Sequence, residues 1–416
     1  MKLAFYTDSF FPELGGIQDS IETLARALGD RGHRLLIVAP RPARRDYRVA
    51  GLTPAELDLG GGVRIERLPA LPLPGSTGQT RLALPAGTTW QTMADFQPDL
   101  IHLHTFLSAG RLGARHARRL GVPTVGTNHW AADGFGLYAP KALEDRVAHL
   151  FMRFVVRFYR QCPLVTTPSR ATADAMRRNG FDGHPLVVSN PIDTARFCPV
   201  DDQTRSRLRA ELGLTGPTLI YAGRLAIEKK VDILFKALAR LGATYPDLTL
   251  AIAGHGTDRE RLTALVPRLG IGSRVRFLGS LPHDALARWL QASDLFVIAS
   301  TSESQCMALL QAMACGRPAV VADSRALPEV LGSDAGLLAR ADDSDDFARQ
   351  IGNLLADRSL ATRCAEAGIA RARQSSITAV TEQWEALYEQ LVRVNDARDD
   401  DRHPGAQRGG LPRVVP

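Results

Sequence analysis

The feature that most constrains the fold of this chain is a series of short apolar runs rich in Val, Ile and Leu, each followed by a stretch with helical periodicity. The first half contains such runs at residues 3–6, 35–38, 100–103, 124–127 and 164–167. The second half repeats the pattern at residues 218–221, 248–252, 275–278, 295–298 and 319–322. Runs of this kind are typical of parallel strands that crossover helices bury on both faces. The sequence therefore predicts an α/β fold with two Rossmann-like, doubly wound domains facing each other across a cleft.

The domain boundary is predicted near residues 189–193, where Asn190-Pro191 marks a turn before a polar segment. A length of 416 residues suits two domains, which we place at residues 1–190 and 191–375. A helix expected over residues 376–394 could pack back on the first domain. The remaining residues, 395–416, are charged and then rich in Gly and Pro, so we expect them to be disordered.

The composition excludes several classes of protein. Hydrophobic residues make up 45% of the chain and charged residues 23%, which excludes a disordered or collagen-like chain. The five cysteines form no C-x-x-C pair, so neither a disulfide framework nor a zinc site is predicted. No apolar run reaches the roughly 18 residues of a membrane span, and the N-terminal pattern is not that of a signal peptide. We therefore expect a cytoplasmic protein.

The net charge of +7 lies in the first half of the chain. Residues 1–190 hold 23 Lys and Arg against 16 Asp and Glu, whereas residues 191–416 hold 28 of each. The excess is concentrated in residues 101–190, with 12 basic and 5 acidic side chains. This charge can attract an anionic partner, and charge alone leaves phosphate, acidic lipid and nucleic acid open.

Two loops could receive the phosphate groups of a ligand. Gly15 and Gly16 follow the first apolar run and precede a helix predicted over residues 19–29, where backbone amides and the helix dipole favour an anion. In the second half, Arg224 and Lys229 follow the run at residues 218–221 and precede a helix over residues 231–240. The chain has only five lysines against 46 arginines, yet two lysines are adjacent here. The alternative interpretations are a plain turn and a solvated basic turn.

A third loop follows the run at residues 295–298 and leads into a helix of small residues that Gly316 and Pro318 end. Glu303 would lie at the carboxyl end of the strand and point into the cleft. Ser304, Gln305 and Cys306 would place their amides at the helix start, where phosphate can bind. The alternative for Glu303 is an acidic residue that complements the helix dipole.

Taken together, these segments resemble the retaining glycosyltransferases of family 4. In the second half the resemblance rests on Gly223-Arg224 with Lys229, Ser302-Glu303-Ser304-Gln305, residues 311–314, and Gly316-Arg317-Pro318. In the first half it rests on Tyr6-Thr7-Asp8, Phe11-Pro12, Gly15-Gly16-Ile17, Arg31-Gly32-His33, residues 98–102 and residues 190–193. These segments occur in the family's order and span about residues 1–395.

The resemblance implies a glycosyltransferase B fold that moves a hexose from a nucleotide-diphosphate sugar to an acceptor hydroxyl, with retention of configuration and without a metal or other cofactor. Arg224 and Lys229 would neutralise the diphosphate, and Glu303 would bind hydroxyls of the sugar. His129 would contact the sugar near the reacting carbon, the alternative being a structural histidine at a strand end. The donor-binding residues would be Gly15, Gly16, Ser304, Gln305, Cys306, Met307 and Gln311.

The chain departs from the family pattern at two places. Gln311 stands where the family usually has a second glutamate, so a hydrogen bond to a ribose hydroxyl would lose its charge assistance. Arg325-Ala326 stands where glycines are common, so the approach of that backbone to the diphosphate is an open question.

The acceptor is the least constrained part of the prediction. Residues 141–161 predict a basic amphipathic helix, which either covers the first sheet or contacts anionic lipid at the inner face of the cell membrane. His102, His104 and the arginines from Arg111 to Arg119 are expected to add positive charge nearby. A soluble acceptor is the alternative to a membrane lipid. An oxidoreductase is disfavoured because Gly254-His255-Gly256 lacks the third glycine of a dinucleotide fingerprint, and a nucleic-acid binder because no aromatic and basic recognition segment is present.

Overall fold

The computed structural model describes residues 1–13, 15–50, 52–72, 81–84, 87–130 and 141–402. Within them, the first half forms a seven-stranded parallel sheet in the order β3-β2-β1-β6-β7-β8-β9, and a separate two-stranded antiparallel sheet of β4 and β5. The strands are β1 Lys2–Tyr6, β2 Arg34–Pro40, β3 Val63–Leu68, β4 Ala70–Pro72, β5 Arg81–Ala83, β6 Leu100–Leu103, β7 Thr124–Thr127, β8 Leu164–Thr167 and β9 Leu186–Val187. The helices are α1 Gly16–Asp30, α2 Arg44–Ala50, α3 Gly87–Phe96, α4 Ser108–Leu120, α5 Glu144–Tyr159 and α6 Arg170–Arg178.

The second half forms a six-stranded parallel sheet in the order β12-β11-β10-β13-β14-β15. Its strands are β10 Thr218–Ala222, β11 Thr249–Ala253, β12 Val275–Gly279, β13 Leu295–Ile298, β14 Ala319–Ala322 and β15 Gly336–Ala339. The helices are α7 Asp202–Glu211, α8 Val231–Arg240, α9 Arg259–Arg268, α10 His283–Ala292, α11 Met307–Ala314, α12 Leu327–Leu331, α13 Ser344–Ala356, α14 Arg358–Arg373 and α15 Ile377–Arg402. The predicted α/β class with two Rossmann-like domains is therefore confirmed.

All ten predicted strands are present, and the structure adds short strands at the edges of both sheets. The edge strand β3 has the sequence Val-Arg-Ile-Glu-Arg-Leu. Its charged residues interrupt the apolar run, so the sequence pattern did not predict this strand. The edge strand β9 has two exposed residues, and β15 is a four-residue strand that begins with glycine. Edge strands need only one buried face or none, so an apolar run is a weak signal for them.

Each sheet is buried by helices on both faces. In the first domain one face packs around Tyr6, Ile101 and Tyr159, and the other around Phe5, Ile37 and Leu100. In the second domain a single buried cluster surrounds residues such as Phe235 and Phe296. The central strands are apolar along their whole length because they contact helices on both sides.

The last helix, α15, begins in the second half of the chain and returns to the first domain. Trp384 and Tyr388 lie in the same buried cluster as Phe5, and the Tyr388 hydroxyl is 2.7 Å from Nδ1 of His102. The helix does not stop at residue 394 as we predicted, but continues through Arg402, so residues 395–402 are helical rather than disordered. Once its first turns are anchored by packing, each further residue adds a hydrogen bond at little cost, and the sequence has no helix breaker before Pro404. The rest of the predicted tail lies outside the described residues.

The two domains meet at several specific contacts. Asn190, at the predicted boundary, accepts a hydrogen bond from Ser20 of its own domain through its side chain, and its backbone N–H donates to Gln305 of the second domain. The first amides of α6, at Arg170 and Ala171, donate to the Glu329 carboxylate of α12 at 2.8 and 3.1 Å. The first amides of a helix have no partner within the helix, and a carboxylate that accepts from them stabilises that end. These contacts therefore help fix the domains relative to each other.

Among the described helices, none is both long enough and apolar enough to cross a lipid bilayer.

Candidate active site

The loop that carries Arg224 and Lys229 leaves the carboxyl end of β10 through Gly223. A second loop packs directly against it, with Gly254 at φ 149° and so close that a Cβ there would lie 1.9 Å from the Gly223 carbonyl oxygen. A Cβ at Gly256 would lie 2.2 Å from the Leu225 carbonyl oxygen. The glycines of Gly254-His255-Gly256 thus allow two loops to touch, which accounts for their spacing without a dinucleotide.

Lys229 and Glu303 form an ion pair at the carboxyl ends of β10 and β13. The Lys229 Nζ atom donates to Glu303 Oε1 at 2.7 Å and approaches the Ser302 carbonyl oxygen at 3.4 Å. The two side chains are only 11% and 12% exposed. Because both charges are largely removed from water, their interaction is stronger than that of a surface pair. The structure therefore brings together two residues that lie 74 positions apart and that the sequence placed in one site.

Arg224 is held by a residue that the sequence analysis missed. Its guanidinium donates to Glu228 Oε1 at 3.1 Å, and the Glu228 side chain is buried while that of Arg224 is about half exposed. The Tyr221 hydroxyl donates to the Arg224 carbonyl oxygen at 2.7 Å and fixes the backbone of the loop. Burial, with Glu303 as the next cause, raises the pKa of the Tyr221 phenol, which keeps it a donor. The i, i+4 spacing of Arg224 and Glu228 was the available signal.

The start of α11 lies beside the first domain. Met307 opens the helix, and its Sδ atom is 3.4 Å from the position that a Cβ on Gly16 would occupy. Cys306 precedes it in the left-handed region, with φ 75°. Its buried thiol faces the amides of Leu309 and Ala308, and burial raises the pKa of the thiol. The predicted amide-rich helix start is therefore partly occupied by a cysteine side chain, in a place where Gly16 comes close.

Gln305 and Ser304 contribute to the junction of the domains. Gln305 Nε2 donates to the Ser189 hydroxyl at 2.6 Å, and its Oε1 accepts from the Asn190 amide at 3.0 Å. The Ser304 carbonyl oxygen accepts from the Thr172 hydroxyl of α6 at 3.3 Å. The side chain of Gln305 is buried in these contacts. Its side chain is thus committed to the junction, and a donor-binding role there would have to come from its backbone.

His129 follows the carboxyl end of β7 and is buried inside a stack of aromatic rings. Its Nε2 atom is 3.3 Å from Nδ1 of His104. The ring of His104 stacks on that of His102 with centroids 3.8 Å apart, and on His129 with centroids 5.6 Å apart. Burial lowers the pKa of His129 to about 4. This histidine is therefore neutral at pH 7 and can offer one donor and one acceptor nitrogen.

His102 and His104 do not add positive charge, which corrects the sequence expectation. Burial lowers the pKa of both His102 and His104 well below the usual histidine value, and neighbouring histidines lower it further. Phe5 packs edge-on against both rings. A positive charge on either histidine would therefore lie in apolar surroundings. The basic charge of this region comes from arginines instead.

The two departures from the family pattern have different structural outcomes. Arg325 adopts a φ of 54°, the left-handed conformation that glycine adopts readily, so the loop after β14 keeps a glycine-like turn in spite of its side chain. Gln311 lies on α11 and is buried. Gly316, with φ 69°, ends that helix as predicted.

The predicted basic amphipathic helix is α5, preceded by a single 3-10 turn over Lys141–Leu143. Its inner face, including Met152, Val155 and Tyr159, is buried against the first sheet. Its outer face exposes Leu150 and Phe154, with relative exposures of 65% and 44%. Three arginines are exposed on the same helix: Arg146, Arg153 and Arg157. We call this set of five residues the α5 outer face.

The neighbouring helix α4 extends the basic surface. The guanidinium of Arg111 lies 4.8 Å from the ring centre of Phe154, a distance typical of a cation–π contact. Arg115 and Arg118 are exposed on the same helix.

Among the described residues, no three His, Cys, Asp or Glu side chains come together in a way that could hold a metal ion.

Two family models cover most of the chain. The model described as "Glycosyltransferase Family 4" matches residues 14–196, and the one described as "Glycosyl transferases group 1" matches residues 202–371. The matches abut near the boundary at residues 189–193.

Similar proteins and solved structures agree with these models. A D-inositol 3-phosphate glycosyltransferase of Corynebacterium jeikeium is 30% identical over 70% of this chain and 72% of its own length. An alpha-monoglucosyldiacylglycerol synthase of Streptococcus pneumoniae is 26% identical over 77% of this chain and 70% of its own length. The crystal structure of Anabaena HepE in complex with UDP and glucose covers 94% of this chain and 99% of its own, with a TM-score of 0.71 and 24% identity. That likeness is one of fold.

Proposed function

The chain belongs to glycosyltransferase family 4, and from this premise we propose that it is a metal-independent, retaining hexosyltransferase whose acceptor lies at an anionic lipid surface. As a glycosyltransferase it uses a nucleotide-sugar donor. The observation that carries the proposal is the Lys229–Glu303 ion pair, 2.7 Å long and nearly excluded from water, at the carboxyl ends of two neighbouring strands. This edge of an open α/β sheet is where ligands bind.

The two members of this pair suit the two parts of a nucleotide sugar. Lys229, with Arg224 on the same loop, would bind the diphosphate, and Glu303 would accept hydrogen bonds from hydroxyls of the hexose. Holding both groups 2.7 Å apart places the hexose next to its leaving group. The hydroxyls of the ribose would meet Gln311 as a neutral hydrogen-bond partner.

The chemistry needs positive charge at the diphosphate. When the bond between the anomeric carbon and the phosphate oxygen breaks, the electron pair leaves with the diphosphate, which becomes more negative. Fixed cations stabilise that state more than the ground state, and this difference accelerates the reaction. Lys229 and Arg224 are held in position by Glu303 and Glu228, so little reorganisation is required. Two fixed cations can supply the charge that a divalent metal supplies in other transferases.

Retention would follow from attack on the face that the diphosphate leaves. The acceptor oxygen forms the new bond to the anomeric carbon, and its proton passes to the departing phosphate oxygen. His129 would contact the sugar near this carbon as a neutral group, since burial lowers its pKa to about 4. Gly15 and Gly16 would let the backbone of the first domain approach the diphosphate beside Met307.

The α5 outer face supports a lipid acceptor. Apolar side chains alternating with arginines on one exposed helix face are typical of elements that lie in the interface of an anionic membrane. Arg111 and its neighbours on α4 enlarge the basic area. The name of the Streptococcus relative points to a diacylglycerol lipid, whereas that of the Corynebacterium relative points to an inositol phosphate, so a soluble acceptor is the second candidate.

The donor part of the proposal is tested by measuring nucleotide release from a panel of nucleotide-diphosphate hexoses in the presence of EDTA. We expect one or more donors to turn over without metal, and proton NMR of the product to show the anomeric configuration of the donor. An inverted product, or activity only after a divalent metal is added, would contradict the mechanism.

The membrane part is tested by cosedimentation with vesicles of phosphatidylglycerol and phosphatidylcholine, compared with phosphatidylcholine alone. We expect binding to the anionic vesicles, and loss of that binding in the double variant Leu150→Glu and Phe154→Glu. The matched control is Leu71→Glu, which changes another exposed leucine of the first domain. Equal binding by the double variant and the control would favour the soluble acceptor.

A further inference from the structure

The ring nitrogens of His104 and His129 form a buried contact. The distance between the two nitrogens does not show which of them carries the hydrogen-bonding proton. Nδ1 of His104 lies 3.3 Å from Nε2 of His129. His104 is 2% exposed and His129 is 7% exposed. Burial lowers the pKa of both rings, so each carries one N–H and one bare nitrogen near neutral pH. Two arrangements are then possible, with the shared proton on either ring.

The far side of the His104 ring discriminates between these arrangements. Nε2 of His104 is buried and has no hydrogen-bond partner among the residues that the structure describes. If His129 donated to His104, the proton of His104 would sit on this Nε2 atom and would be an orphaned buried donor. If His104 donates instead, Nε2 is a bare nitrogen. Orphaned buried N–H groups are rarer in folded proteins than unsatisfied acceptors, so the second arrangement is favoured.

The next ring in the stack does not compete for this proton. His102 has both nitrogens engaged by hydroxyl groups, with Nδ1 2.7 Å from Tyr388 and Nε2 2.6 Å from Thr127. Its contact with His104 is ring stacking at 3.8 Å. His102 thus holds the plane of His104 while leaving its nitrogens to His129.

From this geometry we propose that His104 is a positioning residue that fixes the tautomer of His129. His104 donates its Nδ1 proton to Nε2 of His129, so the proton of His129 must reside on Nδ1. His129 then offers a hydrogen-bond donor, and its ligand is an oxygen atom. On the proposed function, which this step assumes, that oxygen belongs to the transferred sugar.

The direct test is nitrogen-15 NMR of the full chain labelled at histidine, without any ligand. The signals of His129 are identified by their loss in His129→Gln. We expect the chemical shifts of a protonated Nδ1 and a bare Nε2 for His129, and the same tautomer for His104. A protonated Nε2 on His129 would overturn the proposal. Because no substrate is present, this result does not depend on the proposed function.

Variants at His104 test the consequence for turnover. Asn can place an amide donor near the position of Nδ1, whereas Leu cannot, so His104→Asn should keep the His129 tautomer and His104→Leu should lose it. We expect kcat to fall about tenfold in His104→Leu with KM nearly unchanged, and to recover most of that loss in His104→Asn. The matched control is His116→Asn, another buried histidine, whose Nδ1 atom bonds the Tyr6 hydroxyl at 2.7 Å. It should leave kcat and the His129 tautomer unchanged.

The outcomes separate this proposal from the one it assumes. If His104→Asn and His104→Leu lower kcat equally, the tautomer is not set by His104 and the inference fails. If NMR shows the expected tautomer but His129→Gln retains full turnover, His104 still sets the tautomer and the sugar contact of His129 is wrong. Should His104→Leu fail to fold, the NMR measurement on the unaltered protein decides the matter.

Discussion

The two domains build their candidate site residues in different ways. In the second domain each cation has an acidic partner from the same domain: Lys229 with Glu303, and Arg224 with Glu228. In the first domain the candidate side chain is that of His129, an uncharged ring whose partners are other uncharged rings. That stack is buttressed by Tyr388, 286 residues after His102 in the chain. The second domain thus builds its candidate site on ion pairs, and the first domain on burial and long-range packing.

This difference suits the chemistry that we propose. A diphosphate requires fixed positive charge, and each cation is kept in place by a carboxylate. A neutral sugar approached by a lipid acceptor needs directional hydrogen bonds rather than charge. Burial secures this by removing the charge from the histidines.

The largest effect is expected from removing the cation of the Lys229–Glu303 pair in the second domain. Lys229→Met should lower kcat/KM by about 100-fold to 1000-fold, as expected when one group that stabilises transition-state charge is lost. The measurement is steady-state release of nucleoside diphosphate. The matched control is Lys236→Met, which removes a lysine that pairs with Asp232 at 3.0 Å on α8. Similar losses in both variants would show that the charge of Lys229 has no special role.

The junction between the domains gives the next largest effect. Gln305→Ala should lower the free energy of unfolding by about 1–3 kcal/mol, because it leaves the buried Asn190 amide without its acceptor. The affinity for nucleoside diphosphate should stay within about twofold. Denaturant unfolding and calorimetric titration measure the two quantities. A large loss of affinity with unchanged stability would return the Gln305 side chain to the donor site.

The sequence predicted the two sheets well, because strands buried on both faces and the charged loops between them are local signals. It could not show that Gln305 points to Ser189 and Asn190, since only the folded chain brings those residues together. The prediction that His102 and His104 add positive charge was wrong for the same reason. Histidine titrates near neutrality in water, and its burial against Phe5 and α15 is a property of the tertiary fold. The edge strand β3 and the length of α15 also depend on packing.

Gln311 stands where the family usually has a glutamate, and restoring that glutamate should have a smaller effect that increases affinity. Gln311→Glu should tighten the binding of nucleoside diphosphate by about fivefold, because a carboxylate accepts a stronger hydrogen bond from a ribose hydroxyl than an amide does. Calorimetric titration provides the dissociation constant. Gln374→Glu makes the same change of charge at an exposed position near the end of α14 and should leave the affinity unchanged. Weaker binding by Gln311→Glu would remove Gln311 from the ribose site.

The smallest effect concerns an ion pair between the domains. His283 of α10 is 3.3 Å from Asp19 of α1, and the hydrogen bond to Asp19 raises the pKa of His283 above 6.5. Glu22 also favours the charged ring, and Arg196 opposes it. The stabilisation is complete below about pH 6.5 and is lost as the pH rises through the raised pKa.

Because both side chains are about one third exposed, we expect this pair to contribute no more than about 0.5 kcal/mol. The difference in thermal midpoint between the unaltered protein and Asp19→Asn should be present at pH 6 and vanish by pH 8.5. A double variant with His283→Asn should show no further change. A difference that grows with pH would contradict the assignment.

Binding of the donor diphosphate by Arg224 and Lys229 can be measured by calorimetric titration in EDTA with a nucleoside diphosphate and the matching monophosphate. For the unaltered protein we expect the diphosphate to bind at least about tenfold more tightly, since its second phosphate meets two cations. In the double variant Arg224→Leu and Lys229→Met the two affinities should become nearly equal. If the double variant keeps the full preference for the diphosphate, the phosphates bind elsewhere and the account is wrong.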